Sequence, residues 1–439
     1  MAFQLDPTYA ANPEKHFDTL QVHAGWAPDP TTGSAALPIY ASAAFQFDDA
    51  SDAAAKFALA KPGNVYGRLT NTTTDAVAAR VAAVEGAAGA VAVASGHAAE
   101  ILAITNIVGA GDHIVASDSL YGGTWNIFLH TLADLGVETT FVENNDIDAF
   151  VAATKPNTKL WYVETIGNPL VDVADVPALV EAANALKEPV PVFVDNTFAT
   201  PYLYRPADDG AAVVIESLTK WIGGHGATLG GAVVDSGKFD WARTTGKFPT
   251  LTEPDPSYHG AVFTKAAPAA PFSTRVLANK LRDFGPTLSP YAAQLIGLGL
   301  ETLSLRVQRH CDNALAVAQF LKGHPKVSWV RYSGLEDDPS HATASRILHH
   351  GFGGVVVFGV KGGREVGLKV VDTVKLFTHL ANVGDAKSLI IHPASTTHSQ
   401  LTPEQLKAAH LSEDLVRLSV GIENVDDIIA DLDQALASA

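Results

Sequence analysis

The sequence predicts an α/β protein: a mostly parallel, doubly wound sheet followed by a smaller C-terminal α/β domain. Three observations predict it. Between residues 86 and 235, short apolar runs recur, each followed by a small or polar turn and a helix-like stretch. That is the rhythm of β-α-β units around a sheet buried on both faces. A Pro-rich stretch over 236–275 then breaks the rhythm, and a second, shorter set of strand and helix patterns follows. Finally, the 439 residues are 47% apolar and 18% charged, enough to bury a large core in two or three domains.

Taken in order, residues 1–65 read as an N-terminal arm. Pro28, Pro30, Gly33, Pro38, Pro62 and Gly63 punctuate it, and its apolar residues are scattered rather than periodic. Such an arm is expected to lean on another surface, such as a neighbouring subunit. Residues 66–285 form the expected large domain. Its strand candidates are Ala90–Ala94, His113–Ala116, Leu160–Val163, Pro191–Val194, Val213–Ile215 and Gly231–Val234. The 236–275 stretch reads as a long loop of the kind that often lines a site. Residues 286–439 form the small domain, with strands expected at Gly354–Val360 and Val416–Val420 and helices over 303–321 and 365–377. Val425, Ile428, Ile429, Leu432 and Leu436 give one apolar face of a closing helix.

Composition narrows the function. Forty-seven acidic residues against 30 basic ones leave a formal charge of −17, which argues against general nucleic-acid or acidic-membrane binding. No stretch approaches a membrane span, and the first residues lack the pattern of a secretory signal. Cys311 is the single cysteine, so an intramolecular disulfide is impossible, which fits a reducing cytoplasm. Its helical neighbourhood makes it a small buried hydrophobe rather than a reactive thiol. The histidines show no HExxH pattern, and no metal site is expected.

In an open parallel sheet, ligands bind beyond the carboxyl ends of the strands. Ser95-Gly96-His97 follows the first run and leads into a helix, whose free N–H groups suit an anion. Tyr121-Gly122-Gly123 follows the second, and a ring there can lie against a planar ligand. Asn168 follows the third, in an Asn-Pro turn. Asp195 ends the fourth; a carboxylate there stays ionised only if paired or hydrogen-bonded. Glu216-Ser217-Leu218-Thr219-Lys220 follows the fifth. A lysine in apolar surroundings loses its proton readily and can condense with an aldehyde. Each feature alone has an ordinary explanation: a hydrated turn, a packed tyrosine, a surface lysine. Together they supply a phosphate site, a flat stacking ring, a partner for a pyridinium and an amine for an aldehyde. Pyridoxal phosphate has all four complementary features.

On these residues the chain resembles the Cys/Met-metabolism family of pyridoxal-phosphate enzymes. The resemblance runs from Thr19-Leu20-Gln21-Val22-His23-Ala24-Gly25 to Val416-Arg417-Leu418-Ser419-Val420-Gly421-Ile422-Glu423, and Ser217-x-Thr219-Lys220 with Gly223-Gly224-His225 is its most specific part. It implies the aspartate-aminotransferase fold (fold type I) and a homotetramer whose active sites are shared between two chains. Lys220 would hold the cofactor and move protons, Asp195 would meet the ring nitrogen, and Tyr121 would stack on the ring. Ser95, Gly96, His97, Ser217 and Thr219 would bind the phosphate, with Thr197 beside Asp195 completing the cofactor contacts. Tyr66 and Arg68 would reach that phosphate from the neighbouring subunit, Tyr66 also lying near the substrate. Asn168 would sit near the ring hydroxyl and the substrate, Arg417 would clamp the substrate α-carboxylate, and Ser388 would be close by.

Within the family, Ile391-His392-Pro393-Ala394-Ser395-Thr396-Thr397-His398 and Glu253-Pro254-Asp255-Pro256-Ser257-Tyr258-His259-Gly260 resemble the branch that joins O-acetyl-L-homoserine and sulfide to give homocysteine. Two other reactions stay open here: transfer from O-succinylhomoserine, and γ-elimination to a 2-oxo acid. One departure bears on the path of the arm. The family's Asn-Pro-Thr after Tyr66-Gly67-Arg68 is Asn71-Thr72-Thr73 in this chain.

Overall fold

The computed structural model describes residues 15–58, 60–396 and 411–439. Thr397 and His398 of the 391–398 motif lie outside them. Seven strands make the large sheet: β1 (Gly89–Val93), β2 (His113–Ser117), β3 (Glu138–Val142), β4 (Thr158–Glu164), β5 (Val192–Asp195), β6 (Val213–Glu216) and β7 (Gly231–Asp235). Their order is β1-β7-β6-β5-β4-β2-β3. The five from β6 to β3 pair in parallel, and β7 is antiparallel to both of its neighbours. Alternate residues face opposite layers. Val115, Trp161, Val163, Val194 and Val214 enter one core, and Ile114, Leu160, Tyr162, Phe193 and Ile215 the other. Burial on both faces is why these strands read as unbroken apolar runs. The expected mostly parallel doubly wound sheet is what the chain forms. β3 was not anticipated; its Glu138-Thr139-Thr140 are exposed or half-buried and carry no apolar run.

The smaller sheet is β8 (Val327–Arg331), β9 (Val355–Val360), β10 (Thr378–His379), β11 (Leu389–Ile391) and β12 (Leu415–Ser419), in the order β10-β11-β12-β9-β8. The helix Leu303–Gly323 belongs to both units. Its Leu303, Val307 and Cys311 join the large core, and Ala314, Val317, Ala318 and Leu321 join the small one. Cys311 is buried, and burial pushes its thiol up to about 12, as befits an inert hydrophobe. Among the described residues no helix is long and apolar enough to cross a membrane.

Two expectations need correction. The arm holds two short helices, Phe17–His23 and Ala50–Phe57, and the first packs on its own chain. Gln21 exchanges hydrogen bonds with Ser304, and Arg80 donates to the Ala24 carbonyl at 2.7 Å. Seven- and eight-residue helices are too short to show periodicity; Asp49 caps the second by accepting from the Ser51 and Asp52 amides. Asn71 likewise caps the helix Thr72–Val84 by accepting from the Thr73 and Thr74 amides. Thr72 therefore stands at the first helical position, where proline is also favoured, and the departure from Asn-Pro-Thr leaves the cap intact. The second correction concerns 236–275. Trp241, Phe248, Leu251, Phe263 and Phe272 bury it against one face of the sheet, and none of its residues lines the cavity described below.

Beneath the end of β6, the Glu216 carboxyl meets Glu85 with both side chains fully buried. Neither Glu216 oxygen has a donor among the described residues, and Asn196 donates to Glu85 Oε1 at 3.4 Å. Burial first, and for Glu216 the neighbouring Glu85 charge next, holds both carboxyls above the usual carboxylate range, so the pair keeps a proton at neutral pH. Stability from a raised acid is fully present below its unfolded pKa and is lost as pH rises through the folded one. Glu216→Gln replaces that proton by a permanent donor. Its thermal midpoint relative to the parent should therefore climb from pH 5 to pH 9, by the equivalent of about 2 kcal/mol. A pH-independent difference would remove the shared proton.

Candidate active site

One cavity of about 690 Å³ opens at the carboxyl ends of the parallel strands. Its walls include Ser95, Gly96, His97, Tyr121, Asn168, Asp195, Thr197, Ser217, Thr219, Lys220 and Arg417. Each comes from a strand end or the turn after it, and Arg417 comes from β12 of the small sheet. Residues more than 300 positions apart in the chain thus share one cavity, between the two units.

One corner is built for an anion. Ser95 caps the helix Gly96–Ile107, its side chain accepting from the Ala98 amide at 3.1 Å. The first N–H groups of a helix have no intrahelical acceptor, and Gly96 and His97 sit there. A Cβ on Gly96 would lie 2.8 Å from the Ser217 Cβ, so glycine is what lets this helix start meet the β6 turn. Thr219 lines the cavity, but its hydroxyl is engaged with the Gly230 backbone, donating at 3.1 Å and accepting at 3.0 Å.

Asp195 ends β5, and no cationic side chain pairs with it among the described residues. Thr197 donates its amide to Asp195 Oδ1 at 2.9 Å, and the Thr197 hydroxyl accepts from the Ser217 amide at 2.8 Å. Thr197 thereby ties the carboxylate to the turn that carries Lys220. Burial raises Asp195 above the usual carboxylate range, opposed by the Thr197 hydrogen bonds. Two further buried acids, Glu100 and Glu164, share the cavity wall, and sequence reasoning missed both. Burial, then the Asp195 charge, pushes Glu100 up to about 8 and Glu164 well above its ordinary value. Glu164 accepts from the Tyr121 amide at 2.6 Å, and Tyr162 donates to Glu100 at 3.2 Å. A cationic ligand would relieve this concentration of carboxyl groups.

Opposite stand two cations. The Lys220 ammonium donates to Asn382 Oδ1 at 2.5 Å, and burial, then the charge of Arg417, pushes it down to about 8. Arg417 is 7% exposed and pairs with no carboxylate among the described residues; Nη1 donates to Asn168 Oδ1 at 2.9 Å. A buried guanidinium with unused donors suits a carboxylate ligand. The Tyr121 ring, 45% exposed, lies 5.5 Å from the His97 ring between centroids. A Cβ on Gly123 would come within 2.5 Å of both rings.

Three expected residues are not on this wall. Ser388 is a correction: its hydroxyl donates to Glu423 at 3.0 Å and accepts from the Gly421 amide at 2.9 Å, and it is fully buried away from the cavity. Asn382, six residues earlier, occupies the place expected of it. Tyr66 and Arg68 do not line the cavity of their own chain. Tyr66 is exposed, and Arg68 donates to the Arg282 carbonyl.

The residues present fit pyridoxal phosphate. A glycine-opened helix start meets Ser217 for a phosphate, an uncompensated buried Asp195 awaits a cationic ring nitrogen, and a lysine of lowered basicity faces the same space. Known proteins agree. The chain is 49% identical to a homocysteine synthase of Schizosaccharomyces pombe over 97% of its own length and 99% of that protein's. It is 48% identical to an O-acetyl-L-homoserine sulfhydrylase of Leptospira meyeri, over 95% and 96%. Its fold matches a crystal structure of a Campylobacter jejuni protein described as an O-acetylhomoserine (thiol)-lyase, at a TM-score of 0.92 and 38% identity over 96% and 100% of the two chains. That structure carries N'-pyridoxyl-lysine-5'-monophosphate. Residues 18–437 match the model of one family, and the chain belongs to it: the Cys/Met metabolism PLP-dependent enzymes.

Proposed function

We propose that this enzyme performs γ-replacement, converting O-acetyl-L-homoserine and sulfide to L-homocysteine and acetate in sulfur assimilation and methionine biosynthesis. The observation that carries it is the pairing, across one cavity, of Lys220 with a buried Arg417 that has no carboxylate partner among the described residues. An α-amino acid brings both complementary groups. The relatives, a homocysteine synthase and an O-acetyl-L-homoserine sulfhydrylase, support the choice of donor and nucleophile.

Bound pyridoxal phosphate supplies an electron sink for the charge left at the substrate α-carbon. The chain's own residues do the rest. Lys220 would hold the cofactor through its amine and would serve as base and acid for the substrate α-proton. Asp195, steadied by Thr197, would hold the proton on the ring nitrogen. Ser95, Gly96, His97 and Ser217 would hold the phosphate, with Thr219 shaping the turn beside it through its Gly230 hydrogen bonds. Tyr121 would pack on the ring, and Asn168 would serve both the ring hydroxyl and Arg417. Arg417 holds the α-carboxylate. Tyr66 and Arg68, free of their own chain's cavity, serve the site of a neighbouring subunit in a cytoplasmic homotetramer. The acidic chain has no nucleic-acid partner.

Purified protein should release homocysteine from O-acetyl-L-homoserine only when sulfide is present, with O-succinyl-L-homoserine the poorer donor. Release of 2-oxobutanoate without sulfide would instead make the reaction an elimination. Preference for the succinyl ester would change the donor.

A further inference from the structure

Asn168 is the residue that holds Arg417, so whatever holds Asn168 sets the guanidinium. Asn168 lies in a short loop closed at its base. The Gly167 amide donates to the Asp172 carbonyl at 2.8 Å, and Ile166 bridges to Val173. The loop is tightly wound: Val171 stands at φ +55°, a left-handed conformation that a β-branched residue resists. Such backbone persists only where surrounding contacts enforce it.

The Asp172 side chain supplies those contacts, and they lead two ways. Oδ2 accepts from the Ser119 hydroxyl at 3.3 Å, in the turn that delivers Tyr121. Gly167 packs so closely on Ser119 that a Cβ would fall 2.2 Å from its Oγ. Oδ1 accepts from Arg331 Nη2 at 2.6 Å, at the end of β8 in the small unit. Arg331 is fixed in turn by Asp338 at 3.0 Å, whose side chain is 1% exposed. Asp338 also accepts from the Ser340 amide at 2.9 Å, and the Ser340 hydroxyl accepts from the Val173 amide at 3.1 Å. One carboxylate thus joins the Asn168 loop, the Tyr121 turn and the small unit that carries Arg417.

We propose that the Asp172–Arg331 ion pair is an interdomain latch whose task is to position Asn168, and through it Arg417, for the substrate carboxylate. Both are positioning residues, since neither lines the cavity. The inference rests on Arg417 being the carboxylate clamp. The pair is partly exposed, 20% for Arg331 and 27% for Asp172, and ion pairs of that kind add little to stability. Its loss should therefore be felt in binding geometry rather than in folding. The neighbouring pair Arg346–Asp175 provides a control. It also links the two units, but Arg346 is more exposed, and its partner Asp175 lies beyond the Gly167–Asp172 closure of the Asn168 loop.

The test uses cofactor-loaded Asp172→Asn, Arg331→Gln and Arg346→Gln. Each is titrated with L-norvaline, an α-amino acid without a leaving group, by the change in cofactor absorbance. KM and kcat for O-acetyl-L-homoserine and the thermal midpoint are measured beside it. Asp172→Asn and Arg331→Gln should each weaken L-norvaline binding and raise KM roughly 2- to 30-fold. For Asp172→Asn, kcat, cofactor affinity and thermal midpoint should stay near the parent's. Arg331→Gln also leaves the buried Asp338 without its cation and should lower the thermal midpoint, so Asp172→Asn carries the decision, and Arg346→Gln should match the parent throughout. Asp172→Glu, which restores the charge, should recover part of the loss and stands in if Asp172→Asn does not fold. Unchanged L-norvaline affinity in the folded variants overturns the latch. So does a loss of affinity that only tracks a lower thermal midpoint, or one that Arg346→Gln shares. A parent enzyme that binds L-norvaline but does not turn over O-acetyl-L-homoserine would sink the proposed reaction while leaving the latch to be decided by the titration.

Discussion

Lys220→Ala should lower kcat/KM by more than the ~10²–10⁴-fold typical of a positioned acid–base group, because it also removes the attachment of the cofactor. The absorbance of lysine-bound cofactor should vanish with it. The same residue predicts a pH dependence. Burial and Arg417 bring Lys220 down to about 8, and only the neutral amine attacks an aldehyde. Loading of the cofactor-free protein should therefore accelerate as pH rises through about 8 and level off above it, as followed by stopped-flow absorbance. A lysine in water would still be gaining rate at pH 10. Near-normal turnover by Lys220→Ala would remove the residue from the mechanism.

Arg417→Ala is expected to raise KM for the amino-acid substrate far more than it lowers kcat. Truncating one partner of a buried, hydrogen-bonded charge pair costs roughly 2–5 kcal/mol, or about 30- to 4000-fold in affinity. Arg417→Lys should recover little, since an ammonium cannot offer two parallel N–H groups to a carboxylate. A second effect follows from the cavity's electrostatics. Arg417 is one of the two causes of the lowered Lys220 basicity, so its loss should shift the loading limb to higher pH. Steady-state kinetics and the loading titration read the two effects separately. A variant with parental KM would assign the carboxylate to another group.

The candidate site was unevenly legible in the sequence, for a physical reason. Gly96, Tyr121, Asn168, Asp195 and Lys220 each stand just after an apolar run, because a parallel sheet buried on both faces leaves its chemistry at its carboxyl ends. Arg417 obeys no such rule. It sits within β12, in a sheet whose main pairings are antiparallel, and only the family resemblance singled it out. Resemblance also pointed to Ser388, whose hydroxyl is spent on Glu423 and Gly421, while Asn382 meets Lys220. Glu100 gave no signal, since a carboxylate on an apolar helix looks like any other, whereas Glu164 ends its strand as Asp195 does and was not singled out. Folding raises both glutamates, first by burying them and then by setting them near the Asp195 charge.

By itself, then, the sequence determined what depends on neighbours along the chain. Period and turn chemistry define the strands, the helix starts and the groups at each strand end, and together these specify the sheet and the kind of cofactor it can hold. What the tertiary structure decided depends on approach through space. The arm's first helix lies against its own chain, two buried glutamates meet beneath β6, and Asp172 of one unit meets Arg331 of the other, 159 positions away. Burial and charge act over a few ångströms whatever the sequence separation, so no local pattern records them.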